Sequence, residues 1–155
     1  MKPTKPAVLI ALAVVISAIT WAVLGFTYVS LPPMPWTAVP TLLLLALGEA
    51  FTGVNIRGRI QRKPDTKPVE PLVVVRMAAL GKASAHAAAV LVGVFGGFVG
   101  YLGSSLDKAT PRRDFFVSTG TFLAALALVV AALFLEYACR VPKRPEDEND
   151  RTSRT

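Results

Sequence analysis

Residues 7–29 read AVLIALAVVISAITWAVLGFTYV, which is 23 consecutive residues without a charged side chain. A helix needs about 20 apolar residues to cross the roughly 30 Å hydrocarbon core of a bilayer. Further apolar stretches of that length follow at residues 36–56, 77–102 and 115–138. Lipid offers the backbone no hydrogen-bond partner, and the alternating pattern of barrel strands is absent from these stretches. The sequence therefore predicts an all-α, integral membrane four-helix bundle made of two helical hairpins.

The four spans form one transmembrane domain, which we place at residues 1–141. Residues 142–155 mix acidic and basic side chains without an apolar run, so we predict a disordered cytoplasmic tail that is solvated rather than docked on a partner. Lys2 and Lys5 before the first span are also typical of a secretory signal. Because its apolar run exceeds the 7 to 15 residues or so of a signal core, we predict an uncleaved span.

Composition excludes several protein classes. Apolar residues make up 53% of the chain and charged residues 17%, whereas soluble domains carry about 25% charge. The single cysteine, Cys139, excludes a disulfide scaffold. The net charge of +7 is compatible with nucleic-acid binding, but no aromatic residue lies between Arg57 and Arg76 on which a base could stack. We therefore predict no nucleic-acid partner.

The basic residues predict the orientation of the chain. Thirteen of the 17 Lys and Arg residues lie before the first span, between the second and third, or after the fourth. Because cytoplasmic loops carry the excess of basic residues, we predict a multi-pass plasma-membrane protein with both termini in the cytoplasm. Such charges also attract anionic lipid, so we expect lipid contacts from Arg57, Arg59, Arg62 and Lys63.

Several charged or titratable residues lie inside the spans or at their cytoplasmic ends. At about 1.5 Å per residue, Glu49 lies roughly 12 Å and Lys82 roughly 9 Å inside the cytoplasmic boundary. An unpaired charge in the bilayer is costly, so the two are predicted to form an ion pair, with His86 one turn deeper. Glu136 and Arg140 are four residues apart, which predicts a second pair at the cytoplasmic end.

Glycines in the third span predict a helix-packing face. Lys82, His86, Gly93, Gly97 and Gly100 fall on one helical stripe, and the patterns Gly93-xxx-Gly97 and Gly96-xxx-Gly100 overlap. Small residues let membrane helices approach closely, so this face is expected at the centre of the bundle or of a homodimer. The glycines are Gly93, Gly96, Gly97 and Gly100.

Three functions are compatible with the cluster of Glu49, Lys82 and His86. It can fix the register of the helices, serve a transport or proton relay, or bind a ligand or lipid headgroup. No spacing typical of a hydrolase, nucleotide-binding loop or metal site occurs, so we predict no catalytic residue, metal or cofactor. We expect an accessory or scaffold subunit with membrane lipids and a membrane-protein partner or a second copy. The alternative is a small transporter or proton/ion relay component.

Five sequence segments together resemble one known family. They are MKPT at 1–4, LPPMPW at 31–36, PVEPL at 68–72, RMAALGKASA at 76–85 and EYACRVP at 136–142. This combination resembles a small actinobacterial four-span membrane-protein family of unknown function, often encoded near folate-biosynthesis genes. The resemblance covers most of the chain and implies four spans in a plasma membrane. It implies no activity.

Overall fold

The protein is described by a computed structural model over residues 5–28, 32, 34–60, 71–103 and 109–139, excluding the side chains of residues 59, 60, 71 and 109. The predicted tail at 142–155 lies outside these residues. The described part of the chain is all-α, without strands. Its helices are α1 (Pro6–Thr27), α2 (Ala38–Ile60), α3 (Pro71–Leu102) and α4 (Ala109–Ala138).

Each helix carries a proline in its first turn. Pro6 and Pro71 are the first residues of α1 and α3, while Pro40 and Pro111 are third in α2 and α4. Proline is tolerated there because the first backbone N–H groups of a helix have no partner within it. As a result, α3 and α4 each begin six residues before the apolar span predicted from the sequence.

All four helices are long and apolar enough to cross a membrane, as the sequence predicts. The mean hydropathy of their most apolar segments ranges from 1.5 in α2 to 2.7 in α1. Large side chains such as Phe26, Leu44 and Phe51 are 92%, 69% and 70% exposed on the outer faces. Exposed apolar side chains of this size are stable in lipid, because hydrocarbon replaces the water they would otherwise contact.

The contacts between the helices do not simply follow their order in the chain. Extensive contacts join α1 to α3, α3 to α4, and α4 to α2. Thus α3 and α4 form the centre, and α1 and α2 flank it. The helices of the second predicted hairpin, α3 and α4, pack against each other. In contrast, α1 packs mainly on α3 and α2 packs mainly on α4.

Close backbone contacts give the directions of the helices. A methyl group added at Gly93 would lie 2.7 Å from Ala13 O, and one at Gly97 would lie 2.8 Å from Ser17 O, so α1 and α3 run parallel. A methyl group at Gly81 would lie 3.0 Å from Ala132 O of the antiparallel α4. Small residues therefore set the spacing at both contacts, because only they let two helix backbones come so close.

Substitution of Gly97 tests this packing. In Gly97→Ala the new methyl group would lie 2.7 Å from Thr20 Cβ and 2.8 Å from Ser17 O, so α1 must move away from α3. We expect the free energy of unfolding in detergent to fall by about 1–3 kcal/mol.

The matched control is Gly48→Ala in α2, where no atom lies within 4 Å of the added methyl group. We expect it to leave stability unchanged or raise it by up to about 1 kcal/mol. Equal losses in the two variants, measured by thermal unfolding, would show that the contact of α1 with α3 does not depend on Gly97.

Candidate functional site

Glu49 lies on the face of α2 that packs against α4. Ala46, one turn before it, belongs to a buried cluster that includes Leu128 of α4, and a methyl group at Gly53, one turn after it, would lie 2.9 Å from Phe134. Residues at these spacings share one side of a helix. Glu49 itself is 5% exposed, and its Oε2 has no hydrogen-bond partner within the part of the chain that the structure describes. Burying a polar oxygen without such a partner is costly.

The structure does not bring Lys82 to Glu49. Lys82 is exposed on α3, and no ion pair joins these two described residues. The expected pairing assumed that α2 and α3, which follow each other in the chain, are also packed together. Instead α2 packs mainly on α4, and the buried face of α2 turns Glu49 towards that helix.

His86 is half-buried and bonded within its own helix. Its Nδ1 lies 2.8 Å from Lys82 O, one turn earlier. A carbonyl oxygen only accepts, so the Nδ1–H group is the donor in this bond. The predicted stripe thus turns from exposed at Lys82, through half-buried at His86, to buried at Ala89 and Gly93.

The C-terminal parts of α2 and α4 contact each other. Glu136 is 8% exposed, and Arg57 lies with its guanidinium 5.5 Å from the centre of the Tyr137 ring, which is a cation–π distance. Arg140, the predicted partner of Glu136, lies outside the described residues. So do Arg62 and Lys63, while Arg59 lies in α2 with its side chain outside the description.

The predicted glycine face lies against α1. Gly93 and Gly97 are buried there, Gly96 lies between Ser17 and Phe122, and Gly100 lies near Trp21. A groove of about 360 Å³ runs between the two helices. It is lined by Val14, Ser17, Ala18, Trp21, Gly96, Gly97 and Gly100.

A polar cluster that the sequence did not predict lies at the opposite end of the helices. Asp114 of α4 is 6% exposed, and its Oδ2 accepts a hydrogen bond of 3.1 Å from the Tyr28 hydroxyl just after α1. Its Oδ1 has no hydrogen-bond partner. The Tyr28 ring lies 5.6 Å from the Tyr101 ring of α3. Asp114 is therefore a buried carboxyl with one oxygen still able to accept a bond.

The segment before α2 also reaches this cluster. Ser118, one turn after Asp114, donates a hydrogen bond of 3.2 Å to Met34 Sδ. Thr121, one turn further, bonds to Val117 O in its own helix. Ser118 and Thr121 are fully buried, so α4 carries a polar stripe inward from Asp114. This cluster therefore contains a residue from the end of each helix or from the segment next to it.

Burial and the carboxyl of Asp114 change the acidity of Tyr28. The pKa of its phenol rises from 10.0 to about 12, first because burial disfavours the charged phenolate, and then because the hydroxyl donates to Asp114. Tyr28 therefore remains a donor throughout the physiological range of pH.

The sequence contains a pattern of polar residues that indicates part of this cluster. Asp114, Ser118 and Thr121 are spaced by four and three residues, which places them on one helical face. The apolar span that the sequence predicts starts at residue 115, one position after Asp114, so hydropathy places this carboxyl outside the membrane segment. Tyr28 and Tyr101 are at the depth of an interfacial aromatic belt, a position that alone does not indicate a hydrogen bond to an acid.

Within the described ranges, no group of three or more His, Cys, Asp or Glu side chains could hold a metal ion. A single carboxyl such as that of Glu49 or Asp114 can bind a proton, an N–H donor or one positive charge.

Raising the pH tests the bond between Tyr28 and Asp114. The folded pKa of Tyr28 exceeds its unfolded value, so its contribution to stability is complete below pH 10 and lost as the pH rises towards 12. Tyr28→Phe should cost about 1–3 kcal/mol at neutral pH, because a buried carboxyl oxygen loses its donor. We expect this difference from the wild type to shrink between pH 10 and 12 in alkaline denaturation. A constant difference over that range would contradict the bond.

Comparison with known proteins identifies a family but no activity. The chain belongs to the family described as "Protein of unknown function (DUF3180)", whose model matches residues 9–143. Membership confirms the resemblance to an uncharacterised family. No curated protein and no solved structure matches the chain.

Proposed function

We propose that this family member is a non-enzymatic accessory or scaffold subunit of the plasma membrane that binds another membrane protein. The observation that carries the proposal is the position of α1. It lies at the edge of the helices, buries only Leu9 and Leu24, and shares an open groove with α3. We assign the groove to a helix of the partner.

The lining of the groove suits a helix better than a small polar ligand. Gly96 and Gly100 on one side and Ser17 and Ala18 on the other are at least partly exposed, so the backbones can be approached there. Close backbone approach is the main source of helix association in lipid, where apolar side chains gain little by leaving hydrocarbon. The same surface would also accept a second copy of the chain.

The proposed orientation places both termini and the loop between α2 and α3 in the cytoplasm. It rests on the excess of Lys and Arg in those segments. In this orientation we expect Arg57, Arg59, Arg62 and Lys63 to contact anionic lipid. The exposed Arg57 side chain, which contacts the Tyr137 ring, lies near the end of α2 that this orientation places at the cytoplasmic surface. The proposal also includes the actinobacterial origin and the folate-gene neighbourhood implied by the resemblance.

The unpartnered carboxyl of Glu49 favours a second candidate function. An acid buried in a membrane helix without a counter-ion can bind and release a proton, which is the chemistry of a relay. Lys82 and His86 of α3 would then be further proton-transfer groups, although the structure does not bring Lys82 to Glu49. We rank this second, because Ala46, Leu128 and other apolar residues around the α2–α4 contact leave little room for water.

Photocrosslinking tests the scaffold function. A photoreactive residue at Ala18 in the groove should form one protein adduct in native membranes, whereas one at Leu44 on the exposed face of α2 should react mainly with lipid. The mass of the adduct distinguishes a partner from a second copy. Lipid adducts alone at both positions would refute a protein-binding groove.

Glu49→Gln separates the two candidate functions. We expect the decay of a pH gradient across proteoliposomes to be the same for wild type and variant, since a scaffold moves no protons. We also expect stability to rise by roughly 1 kcal/mol, because a neutral amide costs less to bury than a carboxylate. Faster decay with the wild type alone would favour the relay.

Lys82→Gln is the matched control for an ion pair. Its effect on stability should add to that of Glu49→Gln within about 0.5 kcal/mol, because the two side chains form no ion pair. A larger coupling energy between the two substitutions would support the ion pair predicted from the sequence.

A further inference from the structure

We propose that Asp114 is the ammonium-binding group of a site for phosphoethanolamine, the headgroup of a zwitterionic phospholipid. The site consists of Asp114, the rings of Tyr28 and Tyr101, and the two arginines that precede Asp114 in α4. The inference is independent of the scaffold function and requires only that the helices span a membrane.

The first argument is the unbalanced charge of Asp114. Its side chain is 94% buried, and Tyr28 is a neutral donor to one of its two oxygens. Tyr101 faces the cluster from α3, and Met34 faces it from the segment before α2. Among the described residues none forms an ion pair with Asp114. A buried carboxylate is stable only with a compensating positive charge, and Oδ1 is the atom that can receive it.

The second argument is the chemistry of the surrounding groups. A carboxylate oxygen accepts N–H bonds, and tyrosine rings attract cations to their faces. Together they favour an ammonium group. The unpartnered oxygen specifically needs a hydrogen-bond donor, which a primary ammonium supplies and a quaternary one lacks. The proposed ligand group is therefore a primary ammonium.

The third argument is the position of the site. Arg112 and Arg113 are exposed immediately before Asp114, at the end of α4 where a phosphate would lie if the ammonium reached the carboxyl. Trp36, which is 57% exposed, lies just before α2 at the same end. Exposed tryptophans mark the headgroup level of a bilayer. Asp114 is about 8 Å along α4 from its first residue, which is just below that level.

The ligand series tests the recognition of the ammonium. Native mass spectrometry of the full chain would measure binding of phosphatidylethanolamine, its mono- and dimethyl derivatives, phosphatidylcholine and phosphatidylglycerol with matched acyl chains. We expect phosphatidylethanolamine to bind about tenfold tighter than phosphatidylcholine, which is the gain from one charge-assisted hydrogen bond. Affinity should fall with each added methyl group. Equal binding of all these lipids to the wild type would overturn the proposal without any variant.

Variants assign the recognition to residues. Asp114→Asn should reduce the preference for phosphatidylethanolamine over phosphatidylcholine to about one, because the charge is lost. The double variant Arg112→Gln/Arg113→Gln should weaken both lipids while keeping their ratio, since both carry a phosphate. Asp107→Asn, which removes one acidic charge from the segment before α4, is the matched control and should keep the wild-type preference. Loss of the preference in the control, or its retention in Asp114→Asn, would overturn the assignment.

Competition with soluble O-phosphoethanolamine distinguishes a site for the soluble compound from a site for the lipid headgroup. If it competes as strongly as the lipid and requires Asp114, the site takes the soluble compound. If only the lipid binds in an Asp114-dependent way, the site takes the headgroup of the bilayer. Failure of both to depend on Asp114 would refute the site, whatever the result of crosslinking at Ala18.

Discussion

The close approach of α3 and α4 is the contact on which the other helices depend, because α1 packs on α3 and α2 packs on α4. Ala85 and Ala88 of α3 and Ala132 of α4 are fully buried, and Gly81 lies against the backbone at Ala132. In lipid, apolar side chains gain little by leaving the surrounding hydrocarbon. Contact between the helices then depends on how closely their backbones pack, and residues no larger than alanine make that possible.

This constraint explains where the chain places its polar groups. A small-residue contact excludes water, so any acid within it has to find a partner in the protein or bind a proton. Within the described residues, Glu49 at the α2–α4 contact has neither a hydrogen bond to Oε2 nor an ion pair, and Asp114 has one neutral donor. An unpaired charge at the centre of a bilayer costs at least about 2.5–3.5 kcal/mol. Stability alone therefore does not account for either carboxyl.

The spans could be predicted from the sequence because hydropathy depends on residues near each other in the chain. The sequence predicts the first residues of α3 and α4 six positions too late, because a charged residue, Arg76 or Asp114, directly precedes each predicted span. The prolines Pro71 and Pro111 lie in the first turns of these helices. The glycines that contact α1 also fell on the predicted face, because Gly93 and Gly97 repeat at helical spacing.

Which helices are neighbours could not be predicted in the same way. Depth in the membrane follows from counting residues, but it does not say which helix lies beside which. The sequence places Glu49 and Lys82 at similar depths, and it predicts an ion pair between them because α2 and α3 are consecutive in the chain. The packing of α2 on α4 separates them. Asp114 was missed for a related reason, since its partner Tyr28 is 86 residues away and only the folded arrangement brings the two together.

The two proposals meet in α1. This helix packs along α3 through the glycine contacts, and its outer end is joined to α4 by the hydrogen bond from Tyr28 to Asp114. Trp21, at the edge of the groove, lies seven residues before Tyr28, or about 10 Å along the helix. In the proposed site the ammonium binds Oδ1, which leaves the bond from Tyr28 to Oδ2 in place at the end of α1. Since α1 is also one wall of the groove, the proposed headgroup site and the proposed protein-binding surface share this helix.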